Sequence, residues 1–163
     1  MAQKTNAARI LDQAGIPYEL MPYEVDEADL SATTVAQKVG MSPELIYKTL
    51  VTRGDKTGIL VACIPAHYEL NLKALAQVSG NKKVEVVALK EVQPLTGYIR
   101  GGVSPLGTKK KYPVFFQEDI LLHEKIAISA GTRGLQIYAR AQDLLKATQG
   151  QVGPIAHHST TFD

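Results

Sequence analysis

Two places in the chain hold residue types and spacings that could do chemistry. Residues 96–111, Thr-Gly-Tyr-Ile-Arg-Gly-Gly-Val-Ser-Pro-Leu-Gly-Thr-Lys-Lys-Lys, set four glycines and a proline among hydroxyls and three consecutive cations. That composition is too punctuated for a helix and too basic for a core strand, so it reads as a shaped loop. Gly101 and Gly102 leave backbone N–H and C=O groups uncovered by any Cβ, while Pro105 fixes one φ and biases Ser104 toward an extended conformation. Such a loop can grip a small polar ligand with its backbone, although Gly-Gly and Ser-Pro pairs also mark ordinary turns. The spacing matches neither G-x-G-x-x-G nor G-x-x-x-x-G-K-S/T, so it is no phosphate cradle and leaves the ligand open. The second place is Lys48, a lone cation inside the β-rich run 45–53. Leu45, Ile46, Leu50 and Val51 would seat its ammonium beside a partly dry sheet surface, the alternative being a lysine that snorkels from a sheet edge.

Other chemistries find little support. No G-x-S-x-G elbow is present, and Cys63 lies within the apolar run 59–64, where a buried structural thiol is expected rather than a nucleophile. His67, His123, His157 and His158 lack the H-E-x-x-H spacing, so no metal site and no cofactor are expected. With 18 Lys and Arg against 16 Asp and Glu the formal net charge is only +2, which indicates no large nonspecific grip on nucleic acid. Local clusters still permit a short polyanion as partner: Lys82 with Lys83, and Lys109, Lys110 and Lys111. Negative charge concentrates instead in residues 24–29.

These candidates must be positioned by the rest of the 163 residues, a length that suits one domain able to bury a core without disulfides or metal. Hydrophobic content of 45% and charged content of 21% are those of a soluble globular protein. No signal peptide or bilayer-crossing run is recognised, and the expected compartment is the cytoplasm. Helical periodicity predicts a first helix over 5–14, stopped by Gly15 and Pro17, and a second over 32–39 with Ser31 as N-cap and Gly40 as stop. Strands are expected over 18–23, 45–53 and 58–64, the last two joined by Gly54-Asp55-Lys56. A helix follows over 70–79, then a strand over 83–88 and a helical turn over 89–93 stopped by Pro94. Beyond the glycine-rich loop, strands are expected at 114–117, 126–129 and 135–138, with a turn or short helix at 118–123 and a closing helix at 141–147. From Thr148 the Gln, Gly, His, Ser and Thr content suggests a frayed tail, so the domain is set at 1–150 and a flexible tail at 151–163. Interleaved strands and short helices fit a mixed α/β fold better than a doubly wound sheet.

The segments Tyr47-Lys48-Thr49-Leu50-Val51, Leu72-Lys73, 80–85, 96–111 and 129–135 stand in the order and spacing of the YbaK/EbsC family. The resemblance covers roughly residues 4–147, and its most specific part is the run T-G-Y-x-x-G-G-I/V-S-P-L-G-x-K-K. That family comprises Cys-tRNA(Pro) deacylases related to the editing domain of prolyl-tRNA synthetase. The resemblance implies a mixed β-sheet, partly barrel-like, with short flanking helices, and an enzyme that removes cysteine from proline tRNA in trans beside the synthetase. It maps the family's essential lysine to Lys48 and its G-x-x-x-P loop to Gly101 through Pro105, which brings in Gly102 and Ser104. Tyr23 and Asp143 match a tyrosine after the first strand and an acidic residue before the closing helix. The substrate's own thiol can attack its ester, so the protein need not supply a nucleophile. Backbone groups at Gly101 and Gly102 can then hold the α-amino group or the carbonyl oxygen, and Lys48 can steady the developing oxyanion or the 3′-terminal phosphate region. By charge, Lys109, Lys110 and Lys111 are candidates for contacts along the tRNA acceptor end. The chain departs from the family pattern at 30–34 and at Arg100, near the expected pocket entrance. Those departures leave open a deacylase for another small amino acid, beside a non-catalytic module binding tRNA or the synthetase.

Overall fold

In chain order the elements are α1 (Asn6–Gln13), β1 (Tyr18–Pro22), α2 (Ala32–Val39), β2 (Tyr47–Gly54), β3 (Gly58–Pro65), β4 (Tyr68–Leu70), α3 (Leu72–Ser79), β5 (Val84–Val86), α4 (Leu89–Thr96), β6 (Val114–Gln117), β7 (Lys125–Ser129), β8 (Leu135–Arg140), α5 (Ala141–Thr148), β9 (Gln151–Gly153) and β10 (Ala156–His158). Short 3-10 turns lie at Pro43–Leu45 and Glu118–Leu122. This computed structural model describes residues 4–158.

The apolar run around Cys63 takes the middle of the largest sheet. Its order is β5-β2-β3-β6-β9, with β3 antiparallel to β2 and parallel to β6. A strand covered on both faces can be continuously apolar, and residues 60–64 are all buried. A second sheet, β1-β8-β7, is antiparallel throughout, and a single bridge between Ile46 and Ala127 links it to the first. The sheets remain open at their edges. The main core fills the space between them: Leu11 from α1, Tyr47 and Cys63 from the large sheet, Ile126, Ile128 and Ile137 from the small one, and Leu144 from α5. A second cluster joins Leu60, Ala62, Ile64 and Phe115 to Leu75 of α3 and to Ile155.

Helix starts follow their caps. Thr5 accepts from the Ala8 N–H at 3.2 Å, and Asn71 from the Ala74 N–H at 3.0 Å. Ser31 accepts from the Thr34 N–H at 3.4 Å, so α2 has the expected span.

Three expectations need correction. Helix α4 does not stop at Pro94 but runs to Thr96. Its late carbonyls find donors elsewhere: the Thr96 hydroxyl donates to Val92 O at 2.7 Å, the Tyr112 hydroxyl to Leu95 O at 2.7 Å and the Lys109 N–H to Thr96 O at 3.0 Å. Residues 68–70, read partly as helix, form β4 and pair with β10. Residues 151–158 of the expected tail are not frayed: β9 extends the large sheet beside β6, and β10 pairs with β4. Ile155 is fully buried there, and Gln117 Oε1 accepts from the Ile155 and Ala156 N–H groups at 2.8 Å each. One apolar anchor and one buried amide hold a segment whose composition reads as polar. The tail's last residues, 159–163, lie outside the described residues, as do 1–3.

Candidate active site

The alternation of β2 sets the position of Lys48. Tyr47 points into the core, its ring 6.2 Å from that of Phe116, so its neighbour Lys48 turns to the opposite face. There Lys48 is half-buried, and its Nζ donates to Ala66 O at 3.0 Å. Burial lowers the ammonium's pKa, and the Glu69 carboxylate opposes that shift.

The face that carries Lys48 opens on a cavity of about 770 Å³. Its floor is Ile46 with β2 from Tyr47 to Val51, one wall is the loop into α2 with the first turns of that helix, and another is α4 through Leu89 and Val92. Arg100, Gly101 and Val103 close a third side, and Ser129 and Gln136 complete it from the small sheet. Val86 and Leu89 form an apolar lip, 54% and 61% exposed. The volume falls within the range of roughly 300–1,000 Å³ that holds small ligands.

The glycine-rich loop is held by a second loop, the connection between β7 and β8. Gly101 has φ +85°, a left-handed conformation that favours glycine, and a Cβ there would meet Arg133 Nε at 3.3 Å and Leu30 Cδ1 at 3.4 Å. At Gly102 a Cβ would stand 3.0 Å from the backbone of Thr132 and Arg133, so the two loops touch main chain to main chain. Arg133 Nε donates to Arg100 O at 2.8 Å, and its guanidinium reaches the Glu27 carboxylate at 3.5 Å. Ser104 and Pro105 lie behind this wall, both buried, with the Ser104 hydroxyl accepting from the Leu106 N–H at 3.2 Å. They shape the loop rather than face the cavity.

Of the residues singled out from the sequence, Lys48 and Gly101 line the same cavity. Gly102, Ser104 and Pro105 back it, and Lys109, Lys110 and Lys111 stand exposed at the far end of the loop, where Lys109 returns to the C-terminus of α4. Tyr23 follows β1, its N–H donating to Gly134 O at 3.0 Å, and Asp143 sits in the first turn of α5; neither is among the lining residues. Of the two departures, residues 30–34 and Arg100, all but Thr34 line it. The sequence reading missed Asp29, Ser129 and Gln136. For the last two a signal existed: Ser129 and Gln136 are each flanked by apolar residues, Ile128 and Ala130 for the one, Leu135 and Ile137 for the other, and they are register partners across β7 and β8.

The arrangement offers cationic and backbone polarisation without an evident protein nucleophile. Cys63 is fully buried on β3, and burial pushes its thiol up to about 12. Among the described residues no group of three or more His, Cys, Asp and Glu side chains could hold a metal ion.

Comparison with known proteins places this geometry. The chain is 47% identical over 153 residues, 94% of its length and 93% of the relative's, to a protein of Enterococcus faecalis (strain ATCC 700802 / V583) assigned as the Cys-tRNA(Pro)/Cys-tRNA(Cys) deacylase EbsC. Among solved structures, one assigned as a trans-editing enzyme for prolyl tRNA synthetase superposes with TM-score 0.79 at 26% identity, covering 96% of this chain and 99% of that one. A hypothetical protein, 23% identical, shares the fold with TM-score 0.82 over 91% of this chain and 97% of its own. The family model of the aminoacyl-tRNA editing domain matches residues 27–147, a span that contains every residue lining the cavity, and the chain belongs to that family.

Proposed function

We propose that the protein hydrolyses cysteine from mischarged Cys-tRNA(Pro), with Cys-tRNA(Cys) as a second substrate, and so supports translation fidelity. The observation that carries this reading is the half-buried Lys48 ammonium facing the same 770 Å³ cavity as Gly101. The family and the name of the Enterococcus relative support the substrate class.

In the proposed reaction the terminal adenosine and its amino acid enter past Val86 and Leu89. The substrate thiol loses its proton and its sulfur attacks the ester carbonyl carbon. A C–S bond forms, and the tetrahedral oxyanion finds the Lys48 ammonium and the backbone of the Gly101 loop. The C–O bond to the ribose then breaks, and the leaving oxygen takes up the proton. Water opens the resulting thiolactone to free cysteine. Here the protein's contribution is orientation and charge stabilisation, which suits a cavity whose nearest protein thiol is buried and protonated. Tyr23 and Asp143 stand outside this proposed site, and Gly102, Ser104 and Pro105 serve it by holding the loop. We place the protein in the cytoplasm as one editing unit working in trans beside prolyl-tRNA synthetase, a partnership supported by the name of the 26%-identical structure.

Purified protein is expected to release cysteine from Cys-tRNA(Pro) and to leave Ser-tRNA(Pro) intact. Failure to release cysteine sinks the proposal. Equal release of serine sinks the thiol-assisted mechanism and favours an activated water acting on a broader set of small amino acids.

A further inference from the structure

We infer that Gln136 receives the α-ammonium group of the substrate, an assignment that rests on the aminoacyl-ester reading above. Gln136 lies on β8, the middle strand of the small sheet, between Met21 of β1 and Ser129 of β7 in register. It is 5% exposed, it lines the cavity, and its Oε1 is buried with no hydrogen-bond partner among the described residues. A buried acceptor left unpaired is costly, and native structures retain one chiefly where another molecule supplies the donor.

The other polar groups of the cavity show which donor is wanted. Lys48 brings a cation, which suits a carbonyl oxygen or developing oxyanion. The Asp29 carboxylate already accepts from the Ser31 N–H at 3.1 Å and the Thr34 hydroxyl at 2.6 Å. Ser129 Oγ accepts from the Gly131 N–H at 3.1 Å. Two buried oxygens among the lining residues have no partner among the described residues: the Tyr47 hydroxyl, whose ring packs into the core beside Phe116, and Gln136 Oε1, on the small-sheet wall of the cavity; of these only the Gln136 oxygen is an acceptor with no proton of its own to donate. The strongest donor that the aminoacyl part of the ester carries is its α-ammonium, with three charged N–H bonds, whereas the cysteine thiol is only a weak donor. Pairing that group with Gln136 while the carbonyl faces Lys48 fixes two of the substituents around the α-carbon, which orients the side chain toward its own ester.

The test compares free and N-acetylated substrates. Wild-type protein and the Gln136→Leu and Gln136→Glu variants are given Cys-tRNA(Pro) and N-acetyl-Cys-tRNA(Pro), and kcat/KM is measured for each. Wild type should favour the free amine by about tenfold or more, the scale of one hydrogen bond to a charged group. Gln136→Leu should lose that preference, its rates on the two substrates converging, while thermal melting shows it folded. Gln136→Glu, which restores an acceptor, should keep or enlarge the preference. A folded Gln136→Leu variant that retains the wild-type ratio overturns the assignment. So does one that slows equally on both substrates, which would assign the amide to the carbonyl instead. The same ratio is read without turnover by titrating 3′-(L-cysteinylamino)-3′-deoxyadenosine and its N-acetyl form. Hydrolysis can then fail in wild type, ending the functional proposal, while the amine preference in binding still decides the role of Gln136.

Discussion

Lys48 is the residue at which burial and chemistry conflict most plainly. Water would stabilise its ammonium, yet the side chain is half-buried against Ala66 O, with the Glu69 carboxylate as the acidic group that opposes the downward shift. His67, next to Ala66, has its own pKa lowered, chiefly by burial, and is neutral where Lys48 titrates. The folded pKa of Lys48 therefore lies below the ordinary lysine value of about 10.4. Two consequences of opposite sign follow. Below the folded pKa the ammonium is present for the reaction but its burial costs stability; as pH rises from the folded toward the unfolded pKa the unfolded chain binds more protons, so that cost is relieved. Activity that needs the cation is lost over the lower part of that window. Lys48→Met should therefore reduce kcat by roughly 10²–10³, the scale of removing one oxyanion donor, while melting at pH 7 at the wild-type temperature or above it. The ratio of wild-type to Lys48→Met activity isolates the lysine from titration of the substrate thiol. Because the folded pKa is lowered, that ratio should already fall as pH rises toward the ordinary lysine value of about 10.4, and a ratio flat up to that pH would mean the ammonium is not used.

The elements show how far a local pattern can be read and where tertiary structure takes over. Helix α2 was legible because its cap, its apolar stripe and its stop are all local: Ser31, then Val35 and Ala36, then Gly40. The central strand β3 was legible because both its faces are buried. What escaped depended on distant partners. Helix α4 continues past Pro94 to Thr96, and its last carbonyls, Leu95 O and Thr96 O, are satisfied by Tyr112 and Lys109 from the far end of the glycine-rich loop. The C-terminal strands exist because Gln117 on β6 takes two N–H groups from residues 155 and 156. The same limit applied to the site: Lys48 and Gly101 carry visible signatures, whereas Gln136 gains meaning only when β8 brings it to the wall that Lys48 faces. The C-terminal case gives a direct test. Truncation after Gly150 removes the buried Ile155 and leaves Gln117 Oε1 without its donors. The loss should be about 3–6 kcal/mol, from roughly 2–3 for the side chain and 1–3 for the unpaired acceptor. Urea unfolding measures it, and a truncated chain with the wild-type midpoint would show these strands to be passengers.

At the scale of the whole molecule the balance of charge is nearly even, so an attraction to tRNA has to come from where the cations stand. Helix α4 relates two features. Its first residue, Leu89, lies at the cavity lip, and its last, Thr96, accepts the Lys109 N–H, which anchors the exposed run Lys109, Lys110 and Lys111 at the far end. Eight helical residues span about 12 Å, roughly the reach of two nucleotides of extended single strand. With the terminal adenosine in the cavity, the next phosphates of the acceptor end would run along α4 toward these lysines. Replacing all three by glutamine should then raise KM for aminoacyl-tRNA and leave kcat unchanged, because the groups facing the ester are untouched. Salt dependence gives the sharper reading. Each phosphate contact on a single strand contributes about 0.7 to the slope of log affinity against log salt, so the triple variant should lose up to about 2 from that slope. A cysteinyl ester of adenosine alone, which has no phosphates to offer, should be hydrolysed equally by both proteins. If the slope is unchanged in the variant, the tRNA approaches across another face, and α4 serves the cavity only as its wall.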